Sequence, residues 1–169
     1  MSHREHRRWA PKSVRVAILT ISDTRTPASD RSGRLIHRRL ARHGHPVVDY
    51  LIVPDDPRGI ARVVRSWMRN RRVEAMILNG GTGISPRDAT FEAVERLLSK
   101  KLEGFGEIYR WLSYRQVGSA AFLSRAVAGL CGDKVLFSLP GSEPAVRLAL
   151  DRLILPELGH LLQQIRKNE

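Results

Sequence analysis

The sequence predicts an α/β domain with a largely parallel sheet and helices on both faces. Three observations carry that expectation. Short apolar runs of strand length alternate with stretches at helical spacing, as strand–helix–strand crossovers require. The first run, 14–21 (VRVAILTI), is almost continuously apolar, as a strand covered on both faces should be. The segments that leave the strands are rich in Asp, Ser, Thr and Gly, and ligands bind in such sheets at the carboxyl ends of the strands.

The elements follow in order. Residues 1–13 hold two histidines, four basic residues and no apolar period, and read as a basic, flexible arm before a single domain over 14–169. Residues 22–29 are polar with Pro27, hence a loop. A helix is expected from near Asp30 to His43, with Leu35, Ile36 and Leu40 inward and Gly44 as its stop. Val47 to Val53 reads as the second strand. Asp56-Pro57 starts a helix, an N-cap acid followed by proline at the first helical position. Ile60, Val63, Val64, Trp67 and Met68 then mark its buried stripe.

A third strand, Ala75 to Leu78, runs into Asn79-Gly80-Gly81-Thr82-Gly83. A helix from about Thr90 turns Val94, Leu97 and Leu98 inward. Segments 106–113 and 119–128 read as helical, divided at 116–118, and Cys131 between Leu130 and Gly132 reads as loop. Val135 to Leu139 is a short strand ending at Pro140-Gly141-Ser142. The last helix begins near Ser142 and carries Val146, Leu150, Leu153, Ile154, Leu158, Leu161, Leu162 and Ile165. Pro156 inside it should bend or break it.

Composition narrows the function classes. At 169 residues and 42% hydrophobic content the chain can bury a full core, which excludes wholesale disorder. No apolar run reaches the ~18 residues of a membrane span, and the N-terminus lacks a signal peptide's apolar stretch. One cysteine excludes an internal disulfide and a cysteine zinc cage, and suits the cytoplasm. The six histidines show no metal-ligand spacing. A net charge of +12 raises nucleic acid as a partner. Stacking aromatics would then be expected, yet Trp9, Trp111 and Tyr114 are scattered and Trp67 sits on an apolar stripe, so neither nucleic acid nor membrane is expected as a partner.

Four strand-end segments hold the candidate site. Three glycines at 80–83 permit positive φ and close approach of an anion to bare amides, and Asp88 just beyond them suits phosphate and metal chemistry. The stretch is neither a P-loop nor a dinucleotide fingerprint. Ser22, Asp23, Asp30, Ser32 and Gly33 bracket the first loop, where Asp30 either caps the helix or faces a ligand. Asp56 is the cap of its helix, which leaves Asp55 to face the cleft; hard carboxylate oxygens such as those of Asp55 and Asp88 suit Mg²⁺.

Together the stretches TISD (20–23), D-x-S-G (30–33), VPDD (53–56), GGTG-x-x-x-R-D-x-T (80–90), GFGE-x-x-R (104–110), LSYRQVGSAAFLSRAVAG (112–129) and LPGS (139–142) resemble the MoaB/MogA family of molybdenum cofactor biosynthesis proteins, more closely its MoaB branch. The resemblance implies a three-layer α/β/α sandwich that assembles as a trimer or hexamer. It implies an adenylyltransferase that joins Mg²⁺-bound ATP to the terminal phosphate of molybdopterin and releases pyrophosphate. It also implies a molybdenum-insertion protein as downstream partner.

Carried onto this chain, the family's essential acids fall on Asp88 and Asp55, as catalytic residues and Mg²⁺ ligands. The binding residues would be Ser22, Asp23, Asp30, Ser32, Gly33, Gly80, Gly81, Thr82, Gly83, Pro140, Gly141 and Ser142, with Glu107 and Arg110 in support. The alternative is a noncatalytic molybdopterin-binding or scaffold protein, since fold does not fix function.

Overall fold

The computed structural model describes residues 10–85 and 88–168. Its strands are β1 (Val16–Ile21), β2 (Val47–Val53), β3 (Ala75–Asn79), β4 (Lys100–Lys101), β5 (Val127–Cys131) and β6 (Lys134–Leu139). Its helices are α1 (Arg31–Arg42), α2 (Pro57–Arg69), α3 (Thr90–Glu95), α4 (Glu103–Val117), α5 (Glu143–Ala149) and α6 (Leu155–Ile165). One six-stranded sheet runs in the order β2-β1-β3-β6-β5-β4. The first four neighbours are parallel, and β5 and β4 extend the sheet antiparallel. The expected mostly parallel α/β sandwich is therefore what the chain forms.

Side chains alternate across the sheet, so each central strand feeds two cores. Val16 and Ile18 of β1, Ala75 and Ile77 of β3 and Phe137 of β6 face α1, α4, α5 and α6. Ala17, Leu19, Ile21, Met76, Leu78 and Leu136 face α2 and α3, where Ile60, Val64, Trp67 and Val94 meet them. Each fully buried Leu or Ile contributes about 1.5–3 kcal/mol to that arrangement. Among the described residues, no helix is long and apolar enough to cross a membrane.

The helix starts follow the sequence closely. Asp56 caps α2 with both carboxylate oxygens, at 3.3 Å from Arg58 N and 2.7 Å from Gly59 N, and Pro57 opens the helix. Trp67, deep on the α2 stripe, satisfies its indole by donating to Asp49 Oδ2 at 2.7 Å. Of the expected arm, residues 1–9 lie outside the described residues. Residues 10 and 11 run beside α6, where a side chain on Gly159 would come within 2.3 Å of the Pro11 carbonyl oxygen.

Five expectations need correction. The helix from Thr90 ends at Glu95, so Leu97 and Leu98 pack inward from the turn beyond it. The first strand begins at Val16 rather than at 14. The helix expected over 106–113 is longer, running from Glu103 through Gly104 and Gly106 to Val117 and ending at Gly118, whose φ is +64°. Residues 119–128 are not helical throughout: a 3₁₀ turn covers Gly118–Leu123 and β5 starts at Val127. Cys131 is therefore the end of a strand, not a loop residue, and burial raises its thiol pKa to about 11. Gly132, at φ +64°, and Asp133 make the two-residue turn that pairs Cys131 with Lys134, and tight hairpins demand such a positive φ.

The last helix is interrupted just ahead of Pro156 by a wide turn. Leu150–Ile154 is π-helical, and Pro156 then falls in the first turn of α6, where a missing N–H costs no internal bond.

Candidate functional site

The register places four strand ends side by side. Ile21 pairs with Val53, Thr20 with Asn79, and Asn79 with Leu139, so the loops after β1, β2, β3 and β6 emerge along one edge. These are the loops that carry the sequence-predicted site residues.

The loops are tied to each other by side chains. Asp55 N donates to Asp23 Oδ1 at 3.0 Å, which joins the β1 and β2 loops. Thr90 Oγ1 donates to Asp55 Oδ1 at 2.5 Å and brings the start of α3, two residues beyond Asp88, to the same place. Asp88 folds back under the glycine loop. Its Oδ2 accepts from Ser85 N at 2.7 Å, and a side chain on Gly83 would overlap that oxygen at 2.3 Å. Of the intervening motif, Pro86 and Arg87 lie outside the described residues.

Gly80 and Gly81 have φ of +100° and +66°, a backbone only glycine adopts readily. A side chain on Gly80 would strike the Ile21 carbonyl oxygen at 2.2 Å, so the loop crosses directly over the end of β1. The Gly80 amide is taken by Leu139 O at 2.9 Å. Among the described residues, the amides of Gly81, Thr82 and Gly83 donate to no protein acceptor, which leaves them open to a ligand. Gly141 backs onto Gly80, and its carbonyl accepts from Ser32 Oγ at 2.6 Å and from Arg25 Nη2 at 2.8 Å.

Asp30 is fully buried and serves the scaffold. One oxygen accepts from Gly33 N at 2.9 Å, which caps α1, and the other from the Tyr50 hydroxyl at 2.5 Å. Burial first, and that bond second, raise the Tyr50 pKa above its ordinary value. Gly33 has no room for a side chain against Tyr50, Asp30 and Thr20, so its smallness serves packing. Ser22 likewise shapes its own loop, accepting from Arg25 N at 3.2 Å and Thr24 N at 3.3 Å.

Beside the loops lies a cleft of about 260 Å³. Thr82, Pro140 and Ser142 stand on one side, with Tyr109 and Ser113 of α4 and Ser124 on the other. Glu107 and Arg110 do not line it: Glu107 is exposed, and the Arg110 guanidinium lies over Gly106 of its own helix.

Two arginines stand at the site that the sequence reading does not name, although Arg125 lies within the 112–129 stretch. Arg25 reaches Gly141 O and lies 3.6 Å from Asp30 and 3.5 Å from Asn79 Oδ1, putting a half-buried positive charge beneath the β1, β3 and β6 loops. Arg125 donates to Gly83 O at 2.8 Å, pairs with Glu92 and sits 4.2 Å above the Phe91 ring.

Among the described residues, no group of three or more acidic, His or Cys side chains gathers as a protein-only metal cage. Among the described residues, Asp55 and Asp88 each have one oxygen held by a protein side-chain or backbone donor and one without. That donor set fits Mg²⁺, which takes one or two carboxylates and completes its shell with phosphate oxygens and water.

Comparison with known proteins agrees with this architecture. The family described as a probable molybdopterin binding domain matches residues 17–160. The chain is similar to molybdenum cofactor biosynthesis protein B of Bacillus cereus, 51% identical over 168 residues and 99% of each chain. Its counterpart in Bacillus subtilis is 47% identical over 170 residues and all of each chain. Among solved structures it is similar to a molybdenum cofactor biosynthesis protein B, with TM-score 0.90 and 51% identity over 94% of this chain and 99% of that one. A tungsten cofactor synthesizing protein MoaB from Pyrococcus furiosus superposes with TM-score 0.83 and 37% identity, over 94% of this chain and 100% of that one.

Proposed function

The chain belongs to the molybdopterin-binding family of molybdenum cofactor biosynthesis proteins, and from that premise we propose that it adenylylates molybdopterin. The observation that carries the reading is the pair Asp55 and Asp88. Each is oriented by a protein donor among the strand-end loops, Asp55 by Thr90 and Asp88 by Ser85 N against the glycine loop with its open amides. In the reaction a phosphate oxygen of molybdopterin forms a bond to the α-phosphorus of ATP. The bond between that phosphorus and the α,β-bridging oxygen breaks, and pyrophosphate leaves with its electron pair.

A phosphate is already a competent nucleophile, so the chain need supply no strong base. Its work is positioning and charge compensation. The Gly81, Thr82 and Gly83 amides hold phosphate oxygens, and the Arg25 charge beneath them favours the polyanion. Asp55 and Asp88 would hold Mg²⁺, which would offset charge on the triphosphate. Thr82, Ser142 and Ser113 line the adjacent cleft, where the pterin's polar edge finds hydroxyl partners.

The same reading takes the chain as a homo-oligomer, a trimer or a pair of trimers. Ile108, Trp111, Tyr114 and Val117 on the outer face of α4, with Phe122 and Leu123 beyond it, support that part, since they leave a large apolar surface uncovered in one copy.

The deciding experiment incubates the purified protein with molybdopterin, ATP and Mg²⁺ and looks for the adenylylated pterin and pyrophosphate. Formation of both is expected. Tight pterin binding without either product would leave a noncatalytic binding protein.

A further inference from the structure

The outer face of α2 carries a row of arginines that the cleft does not use. Arg58, Arg62, Arg65 and Arg69 recur at intervals of four, three and four residues, so they project from one side of the helix over roughly 16 Å. All four are exposed, and among the described residues none pairs with a carboxylate. The acids nearby are already engaged. Asp56 caps the helix, Asp49 holds Trp67, and Glu92 and Glu95 pair with Arg125 and Lys101.

The row also borders a recess. Pro57, Ala61 and Ala93 form an apolar floor between α2 and α3, and the four arginines wall a groove of about 450 Å³ over it. A second basic hollow begins where the row ends, but its Arg15 and Arg166 are both bound to Glu74. In the α2 groove, by contrast, none of the four lining guanidiniums is bound to a carboxylate among the described residues.

We propose that this groove is a docking surface for an acidic amphipathic segment of a protein partner. Carboxylates on one face of a helix recur at the same spacings and can meet each guanidinium, which donates two parallel hydrogen bonds to a carboxylate. An apolar side chain beside them fills the recess above Ala61 and Ala93. A polynucleotide fits less well. The lining holds no aromatic ring for base stacking, and a phosphate backbone has nothing to place on an apolar floor. The groove starts one residue after the Asp56 cap and two after Asp55, so a segment seated there begins beside the loop that follows β2.

The test uses the full chain and a fluorescent helical peptide with glutamates at i, i+4, i+7 and i+11 and a leucine on the adjoining face. Binding is read by anisotropy at about 0.15 M salt, where long-range attraction is screened beyond ~8 Å. The patterned peptide is expected to bind about tenfold more tightly than a scrambled peptide of the same composition. Arg62→Glu with Arg65→Glu should cost roughly a hundredfold, while Arg38→Glu with Arg42→Glu, the same charge change on α1 across the sheet, should cost less than about threefold. Far-UV circular dichroism checks that each variant is folded. Equal binding of the two peptides, or equal losses in the two double variants, overturns the proposal. So does tighter binding of a DNA duplex than of the patterned peptide, which would make the row a polynucleotide surface.

Discussion

Arg125 Nη1 donates to the carbonyl of Gly83 across 42 residues of chain, at 2.8 Å, while the same guanidinium lies 4.2 Å from the Phe91 ring. The glycine loop is thereby fastened to α3 and to the entry of β5. Replacing Arg125 with alanine removes a charge-assisted hydrogen bond and a cation–π contact, and the Glu92 pairing adds little because Glu92 is half exposed. A loss of about 1–2 kcal/mol is expected, which lowers Tm by several degrees. Amide exchange at 81–85 should accelerate more than in β3. Unchanged exchange there would mean that the loop holds itself.

The two acids of the strand-end loops should separate binding from turnover. Asp88→Asn and Asp55→Asn keep shape and hydrogen bonding but remove a negative charge each. Adenylylation of molybdopterin should fall about a hundredfold or more in both. Pterin binding, followed by fluorescence, should persist. Full activity in Asp88→Asn would remove that residue from the metal role.

Two glycines should respond to alanine in opposite directions. A side chain on Gly33 would lie 2.2 Å from Tyr50 Oη and 2.3 Å from Asp30 Oδ2, both buried and mutually bonded. Gly33→Ala should cost about 2–3 kcal/mol, visible as a drop in the denaturation midpoint. Gly104, in the first turn of α4, meets nothing within 4 Å, and alanine there should stabilise by up to ~0.5–1 kcal/mol.

His45 makes stability pH-dependent. Its Nδ1 accepts from Val14 N at 3.1 Å, which requires that nitrogen to be unprotonated. Burial first, and the neighbouring His43 second, lower its pKa below 6.5. The unfolded chain therefore binds the proton more readily, and native stability is lost as pH falls through 6.5 toward the lower native pKa. Above pH ~7.5 both states are neutral and the effect vanishes. His45→Asn keeps an acceptor and removes the titration, so the Tm difference between pH 8 and pH 5.5 should shrink. An unaltered difference would assign the acid sensitivity to other groups.

The apolar face of α4 should govern assembly. Trp111 and Phe122 are 58% and 75% exposed in the single chain, values that a large ring tolerates poorly in water. Light scattering on the wild-type chain should give a multiple of 19.1 kDa. Trp111→Glu with Phe122→Glu should shift it toward the monomer, with little change in circular dichroism.

Much of the fold was readable from local signals. Continuous apolar runs marked β1 and β3, and the Asp56-Pro57 start with its apolar stripe marked α2. The 127–131 strand was missed because VAGLC is short and poor in β-branched residues, and it follows an alanine-rich stretch that reads as helix. Gly132-Asp133 between two apolar runs was the available hairpin signal. The acids Asp23, Asp55 and Asp88 stood out because acids are scarce in this chain. Arg25 and Arg125 did not, because each is one arginine among many. Their partners, Gly141 and Gly83, lie 116 and 42 residues away, and only tertiary packing brings them together.

The far edge of the sheet ends on β4, two exposed lysines paired with Leu130 and Gly129. An unpaired strand edge is a template on which another chain can continue the ladder. Here the template is only two residues long, both positions carry the same charge, and Lys101 pairs with Glu95. Copies of a chain bearing twelve excess positive charges would have to align lysine against lysine to extend it. The sheet is self-limiting on this side, and assembly is left to side-chain faces rather than to shared backbone.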